Sequence, residues 1–170
     1  NFEGKHDYSF TVTATDAAGT SAPTDVTFYI TNVDEVAPTI TSGTTATPLE
    51  ENSGSNQTVY TITADANDGG TISSYAIAGT DASLLSVNSS TGVVILNADP
   101  DYETKSSYSF TVTAATDAAG TSATTDVTFS IINVTEIGDF YQGGVIFYIF
   151  ESGDTGYVSG QTHGLIAAVA

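Results

Sequence analysis

The sequence predicts an all-β protein of tandem immunoglobulin-like Greek-key β-sandwiches, and three observations lead to this prediction. Residues 8–35 recur as residues 108–136, with Ala115 inserted and only four aligned differences. Apolar and polar side chains alternate within that segment, which is typical of half-buried antiparallel strands. No segment carries the apolar period of an amphipathic helix. A repeat of about a hundred residues is too long for a solenoid unit, so each copy is predicted to be a domain.

The strands of the complete repeat are predicted from short runs rich in Val, Ile, Thr and aromatic residues. They are residues 58–64, 73–77, 84–88, 93–96, 108–114 and 127–131. Residues 89–92, which end in Gly92, form a good hairpin turn between the third and fourth of these runs. Six or seven short strands in one repeat favour the sandwich.

The inserted Ala115 shifts the alternation by one residue, which would turn the following side chains to the other face of the sheet. We therefore expect a β-bulge at Ala115 and Thr116 that restores the inward face before Val127.

The positions of the repeats divide the chain into three predicted parts. Residues 1–36 are the C-terminal part of a preceding repeat, and residues 37–136 are one complete repeat, large enough to bury its own core. Residues 137–170 are predicted to be the N-terminal fragment of a different small β-rich domain. In this fragment, residues 145–150 and 164–170 read as strands and 153–160 as a loop, and we expect it to be poorly specified alone.

Composition limits the possible functions. Twenty acidic residues against two lysines give a net charge of −18, which excludes nucleic acid as a partner. Such acidity indicates either a solvating surface or carboxylates that bind divalent cations. With no Cys and two His, the chain has no disulfide, no thiolate zinc site and no nucleophile–base pair, so we expect no catalysis. No apolar run is long enough to span a membrane.

The acidic residues cluster where predicted strands meet loops, as an oxygen-ligated cation requires. No single loop supplies a complete site. With Asp65 as the first position of an EF-hand loop, the fifth and twelfth positions are Gly69 and Ala76, which carry no carboxylate. A cation site would therefore combine several loops.

The order of these groups resembles the cadherin repeat over residues 1–136. Glu51 and Asn52 resemble the glutamate-asparagine pair of that family, and residues 65–67 resemble its Asp-x-Asp loop. Residues 101–103 resemble its Asp-Arg-Glu motif, residues 116–120 its late Asp-x-Gly loop and residues 32–38 its Asp-x-Asn-Asp-x-x-Pro linker. The resemblance implies Ca²⁺ bound between successive domains.

Carried over residue by residue, the resemblance implies two sets of calcium ligands. The interdomain set is Glu3, Asn32, Asp34, Glu35, Asp65, Asn67 and Asp117. A second, weaker set is Glu51, Asp101, Glu103 and Glu136. Asn32 and Asn67 stand where the family has aspartate, and fewer charged ligands imply weaker binding. The linker after the complete repeat lacks the Ala-Pro that would begin another one.

The segment from residue 137 is similar to the opening of an Lcl-type (collagen-like protein C-terminal) domain, which ends bacterial surface proteins. The similarity covers about thirty residues, including Gly143, Gly144 and the run 164–170. A composition without Cys, Met or Trp also suits a bacterial surface protein.

The leading hypothesis is a non-catalytic, extracellular or cell-surface segment for adhesion or for a stalk, stiffened by calcium and contacting a protein or glycan. One alternative is a carbohydrate- or ligand-binding module with the repeats as spacers, for which Tyr141, Tyr148 and Tyr157 are candidate stacking residues. Another is an accessory region of a secreted enzyme. An exposed aromatic platform near the C-terminus would favour the ligand-binding module. A hydrolase domain in the parent gene would favour the accessory region of an enzyme.

Overall fold

The computed structural model describes residues 4–67, 69–116 and 119–168, and the regular secondary structure of these residues is almost entirely β-strand. One 3₁₀ turn, Ala82–Leu84, interrupts the strands. The strands are β1 (Asp7–Val12), β2 (Thr15–Asp16), β3 (Gly19–Thr20), β4 (Thr24–Tyr29), β5 (Thr39–Ile40), β6 (Leu49–Glu50), β7 (Gln57–Thr61), β8 (Ala64–Asp65), β9 (Ile72–Ala78), β10 (Leu85–Val87), β11 (Val93–Leu96), β12 (Ser107–Thr116), β13 (Thr125–Ile132), β14 (Phe140–Tyr141), β15 (Gly144–Ile149) and β16 (Gly164–Ala168).

The complete repeat is a two-layer sandwich, which confirms the predicted fold class. One layer has the strand order β6-β13-β12-β9, and the other has the order β10-β11-β7. The pairs are antiparallel except β6 with β13, which run parallel through Ile131 and Leu49. The short strand β5 pairs with β8. Sequence periodicity did not predict β5 and β6, because a two-residue strand shows no alternation.

The core lies between these two layers. Val59 and Ile62 face Val112 and Val127, and all four are at most 1% exposed. Tyr108 stacks on Phe129 with 4.7 Å between ring centroids, so the aromatic pairs of the repeat lie in the core. The predicted alternation is confirmed here, because β13 alternates strictly between buried and exposed residues from Val127 to Ile132.

The insertion at Ala115 produces the predicted irregularity, but its form differs from the expectation. Ala115 pairs with Ser74, whereas Thr116 pairs with Ile72, so the register shifts between Ala115 and Thr116. The residue left without a ladder partner is Ser73, on β9, and its hydroxyl donates to the Ala115 carbonyl oxygen at 3.0 Å. The extra residue therefore does not bulge out of β12, and the inward face returns at Val127, which is fully buried.

Residues 140–168 form a separate three-stranded sheet in the order β14-β15-β16. The predicted strands and the loop between them agree with the described part of this segment. Several of its large apolar side chains are exposed, including Phe140 at 68% and Phe147 at 52%. Among the described residues, no helix has the length and apolar character needed to cross a membrane.

Candidate metal centres

Acidic side chains gather at two places, one at each end of β12. Glu103 lies just before the start of β12, and the loop 65–70 leads into β9, which pairs with the far end of β12 at Thr116. Ten residues of extended strand separate the two places by roughly 30 Å. They are called the Glu51 cluster (Glu51, Glu103, Glu136) and the linker cluster (residues 32–37 with the described residues 65–67, 69 and 70 of loop 65–70).

The Glu51 cluster brings three carboxylates from three separate segments together. One carboxylate oxygen from each of Glu51, Glu103 and Glu136 lies within 4.8 Å of the other two. Glu51 directly follows β6, which runs beside β13, and Glu136 follows the end of β13. The parallel pairing of β6 with β13 therefore places two of the three glutamates at one end of the sheet.

Backbone amides fix Glu51, which is only 3% exposed. Its Oε1 accepts a hydrogen bond from the amide of Val134, and its Oε2 accepts one from the amide of Tyr102 at 2.9 Å. These two amides hold the pKa of Glu51 below its ordinary value. Glu51 is therefore an anchored carboxylate that joins the segment before β12 to the segment after β13.

The pKa of Glu103 is shifted in the opposite direction from that of Glu51. Desolvation raises the pKa of Glu103, and the nearby charges of Glu51 and then Asp139 raise it further. A raised pKa at an acid means that the ionised form is disfavoured when nothing neutralises the cluster. A cation placed among these oxygens would reverse that cost.

The other sequence-predicted member of this set, Asp101, lies outside the group formed by the three glutamates. Both of its carboxylate oxygens accept hydrogen bonds from Thr104, from the amide at 2.8 Å and from the hydroxyl at 2.7 Å. These bonds, the hydroxyl's first, lower the pKa of Asp101. Asp101 therefore closes its own turn and is not in the group that lies within 4.8 Å.

Three polar contributors to the Glu51 cluster were not assigned as ligands from the sequence, and one of them is Asn133, whose Nδ2 donates to Oε1 of Glu103 at 3.0 Å. Asn52 donates from Nδ2 to Oε2 of Glu136 at 2.6 Å, and Asp139 accepts from the amide of Glu136 at 2.9 Å. Asn52 was identified only as part of a motif, and Asp139 lies beyond the repeat. Its proximity depends on the turn after β13, which no sequence pattern signals.

The linker cluster has a different signature, which is a buried carboxylate without partners. Among the described residues, neither Oδ1 nor Oδ2 of Asp34 has a hydrogen-bond partner, although both oxygens are buried. A Cβ added to Gly70 would lie 2.4 Å from Oδ2 of Asp34, so the backbone at Gly70 packs directly against this carboxylate. A buried anion without partners is expensive unless a cation compensates it.

Loop 65–70 is fastened to the linker by Asn67. Its Nδ2 donates to the carbonyl oxygen of Ala37 at 2.8 Å and to the Thr39 hydroxyl at 3.1 Å. The Asn67 amide in turn donates to Oδ1 of Asp65 at 2.8 Å, which shapes the loop. Asn67 has a φ of 56°, a left-handed conformation that asparagine tolerates well.

The structure thus brings some of the predicted interdomain ligands together. Asn32 and Asp34 lie against Gly69 and Gly70 of the loop. Glu35 is exposed on the same linker. Glu3 and Asp117, the other two predicted members, lie outside the described residues.

Both clusters suit a hard divalent cation in their donor chemistry. They offer carboxylate, amide and main-chain oxygens, which Ca²⁺ prefers, and neither includes histidine or cysteine. The Asp34 oxygens, which have no hydrogen-bond partner in the described part of the chain, and the three converging glutamates fit such an ion. In the described part of the chain, Glu51, Glu103 and Glu136 are the one set of three acidic or histidine side chains with convergent ligand atoms.

Comparison with known proteins gives a family and a set of structural relatives. The sequence profile of the cadherin domain matches residues 45–135. Structural similarity extends to mouse cadherin-23 EC22-24, with a TM-score of 0.60, 19% identity and 79% of this chain covered. It also extends to the protocadherin gammaB7 EC3-6 cis-dimer, with a TM-score of 0.57, 25% identity and 79% covered.

A structure of protocadherin gamma B7 domains 1-4 covers 99% of this chain, with a TM-score of 0.59 and 16% identity. This chain spans 44%, 34% and 50% of the lengths of these three structures, in the order given. No curated protein sequence matched the chain.

Proposed function

Because the chain belongs to the cadherin family, we propose that it is a non-catalytic extracellular segment for adhesion or for a stalk, in which Ca²⁺ holds successive domains at a fixed angle. The observation that carries this proposal is the pair of buried Asp34 oxygens, which lie between one repeat and the next without a partner among the described residues. The predicted Ca²⁺ ligands are retained in the two sets given by the sequence. The same proposal places the chain at a cell surface and gives it a protein partner there.

Electrostatics explains how calcium would act on the linker. Two carboxylates about 4 Å apart repel each other by roughly 4 kcal/mol at an effective dielectric constant near 20, before salt screening. Without an ion, this repulsion opposes close packing of residues 32–37 against the next domain. With Ca²⁺ bound, the same oxygens attract one cation, and the linker loses its freedom to bend. Extracellular calcium modules bind at about 10⁻⁴–10⁻³ M, which suits a surface protein.

The Glu51 cluster supports a second calcium ion at the other end of the repeat. Its contact with Asp139 would couple the sheet of β14–β16 to the cadherin domain, since Asp139 also accepts the Glu136 amide. We retain the proposal that residues 137–170 begin a separate domain of the Lcl type in a bacterial surface protein. Their separate three-stranded sheet supports that division.

Calorimetric titration and thermal melting of the full chain test the calcium proposal. Calcium at about 5 mM, above the usual extracellular range, should raise the melting temperature and give a saturable heat, whereas magnesium should substitute poorly because it demands tighter octahedral geometry. Asp34→Asn should weaken the titration by roughly tenfold or more, as loss of a metal-site group does. Asp25→Asn is the matched control, because Asp25 is an exposed acid on β4. The absence of both heat and melting shift would reject the proposal.

One observation also favours the alternative of a ligand-binding module. Tyr141, 55% exposed, lines a cavity of about 280 Å³ between β14, β15 and β16, together with Gln142 and His163. An exposed tyrosine presents an apolar ring face beside a polar hydroxyl, which would suit stacking on a sugar ring. Binding of the full chain to a glycan panel, abolished by Tyr141→Ala and unaffected by Phe28→Ala, would support this alternative. Absence of binding at millimolar glycan would reject it.

A further inference from the structure

The complete repeat joins the segment by which the chain enters it to the strand by which the chain leaves it. Residues 44–51 lie near the start of the repeat, and β13 is its last strand. The two run parallel, with Thr45 opposite Thr128 and Leu49 opposite Ile131. A stretching force on the chain therefore enters the repeat at the start of one strand and leaves it at the end of the strand beside it.

Backbone hydrogen bonds lie at both ends of this parallel pairing. The Thr128 amide donates to the Thr44 carbonyl oxygen at 3.0 Å, and the Ala46 amide donates to the Thr128 carbonyl oxygen at 2.8 Å. At the other end, the Glu51 amide donates to the Ile132 carbonyl oxygen at 3.1 Å. A force that enters before Thr44 and leaves after Ile132 pulls the two strands past each other along their axes, so it acts on these bonds together and not on one after another.

Two side chains fasten the end at which the chain leaves the repeat. Oε1 of Glu51 accepts a hydrogen bond from the Val134 amide, and Nδ2 of Asn52 donates to Oε2 of Glu136 at 2.6 Å. Val134 and Glu136 both belong to the segment that follows β13. Both bonds must therefore break before this segment separates from residues 51 and 52.

The carboxylate of Glu51 is shielded from water, which makes its hydrogen bonds costly to break. Its side chain belongs to a residue that is 3% exposed, and its second oxygen accepts the Tyr102 amide at 2.9 Å. A buried charged acceptor loses the full benefit of its hydrogen bond when the donor is pulled away, because water is not at hand to replace it. These bonds join protein atoms to protein atoms, so they form without a cation.

We propose that residues 44–51 and β13 form a clamp that resists stretching of the chain, and that Glu51 and Asn52 are a latch that fastens its exit end without the help of a metal ion. This clamp goes beyond calcium binding, because it assigns mechanical resistance to hydrogen bonds that the protein makes with itself. It also has a direction. It is strong against a force that shears the two strands and weak against one that peels residues 51 and 52 away from β13.

Single-molecule force spectroscopy of the full chain, with chelator present, tests this direction. The chain has no Cys, so two introduced cysteines are its only thiol attachment points. Val36→Cys with Ile137→Cys applies a shearing force, and Ser53→Cys with Ile137→Cys applies a peeling force. All three of these side chains are exposed. The β1–β4 hairpin and the sheet β14–β16 lie outside both pairs of attachment points and carry no force.

Unfolding of the complete repeat is recognised in either geometry by a gain in length of roughly 300 Å. Shearing should require about twice the peeling force or more, because forced unfolding follows the unfolding rate and shearing breaks several bonds at once. Equal forces in the two geometries would overturn the clamp.

Two variants in the shearing geometry test the latch. Glu51→Gln replaces one acceptor oxygen by an amide donor, so the side chain can no longer accept both backbone amides. Asn52→Gly removes the donor to Glu136 and keeps the left-handed φ of 56°, which glycine adopts freely. Each should lower the unfolding force. The matched control is Glu50→Gln, whose exposed side chain is not part of the latch and whose unfolding force should equal that of wild type.

Circular dichroism identifies the variants that keep the sandwich, and Asn52→Gly provides the test if Glu51→Gln does not fold. A wild-type unfolding force in either folded variant would overturn the latch. Because chelator removes calcium throughout, this result is separate from the calorimetric test of calcium binding, and either proposal can fail alone.

Discussion

A single glycine decides how closely the linker approaches the next domain. Gly70 has no side chain, and the space that a Cβ would fill is occupied by the carboxylate of Asp34. Only a residue without a Cβ allows the loop backbone and the acid to lie this close, so Gly70 shapes the linker cluster although it contributes no charge.

We predict that Gly70→Ala displaces Asp34 and weakens calcium binding, because the new Cβ would lie 2.4 Å from Oδ2 and 2.6 Å from Cγ of Asp34. Calorimetric titration should show a loss of roughly tenfold or more in affinity. Gly43→Ala is the control, since no atom lies within 4 Å of its added Cβ. Unchanged affinity in Gly70→Ala would show that Asp34 does not bind the ion.

The ion pair of Lys105 and Asp81 supplies a second residue-scale prediction. Burial raises the pKa of Asp81, but the Ser109 amide and Lys105 more than offset this, so the pKa lies below its ordinary value. Lys105→Met should cost about 2 kcal/mol of unfolding free energy, less than the 3–5 kcal/mol of a fully buried pair, because the Lys105 side chain is 34% exposed.

Urea unfolding at several pH values measures this contribution. Because the folded pKa of Asp81 is depressed, its stabilisation is complete above the unfolded pKa near 3.8 and is lost as the pH falls through the folded value. The difference between wild type and Lys105→Met should therefore be full at pH 7 and shrink below about pH 4. Lys5→Met is the comparison variant and should change the free energy little. A difference that persists undiminished at the acid end would contradict the assignment.

At the scale of elements, the alternation of apolar and polar residues predicted the long strands well. The metal clusters were predicted only in part, and from other features of the sequence. Strand β11 begins and ends as expected from sequence, since residues 93–96 are apolar and follow a clear turn. The convergence of Glu51 with Glu136 was implied only by family resemblance. It depends on the parallel pairing of β6, which is two residues long and leaves no periodic trace.

The insertion at Ala115 gives the prediction at this scale. In the first copy of the repeated hairpin Thr15 pairs with Thr20, whereas in the second copy Ala115 takes the equivalent place opposite Thr121. Deleting Ala115 should move Thr116 into that place and preserve the sandwich, with a change in unfolding free energy within about 1 kcal/mol. Circular dichroism and urea unfolding measure this. Loss of cooperative unfolding would show that Ala115 is required for the pairing of β12 with β9.

At the scale of the whole molecule, the net charge of −18 and the two acidic clusters cause two different kinds of electrostatic repulsion. The distributed charge acts over long distances, and raising the ionic strength from about 0.01 M to 0.15 M shortens the Debye length from about 30 Å to about 8 Å. The oxygens of the Glu51 cluster lie within 4.8 Å of one another, which is shorter than either length. Salt therefore screens the repulsion among charges spread over the surface, whereas the repulsion within a cluster is offset only by a bound cation.

This separation predicts two additive effects on thermal stability. With chelator present, NaCl should raise the melting temperature gradually, because screening weakens repulsion across the surface. Calcium added at constant ionic strength should give a further, saturable increase, and Glu103→Gln should remove part of that increase while leaving the NaCl effect intact. Scanning calorimetry of both proteins across NaCl concentrations, with and without calcium, measures the two effects. If NaCl at matched ionic strength reproduced the whole calcium effect, calcium would be acting only as a screening ion, and neither cluster would be a binding site.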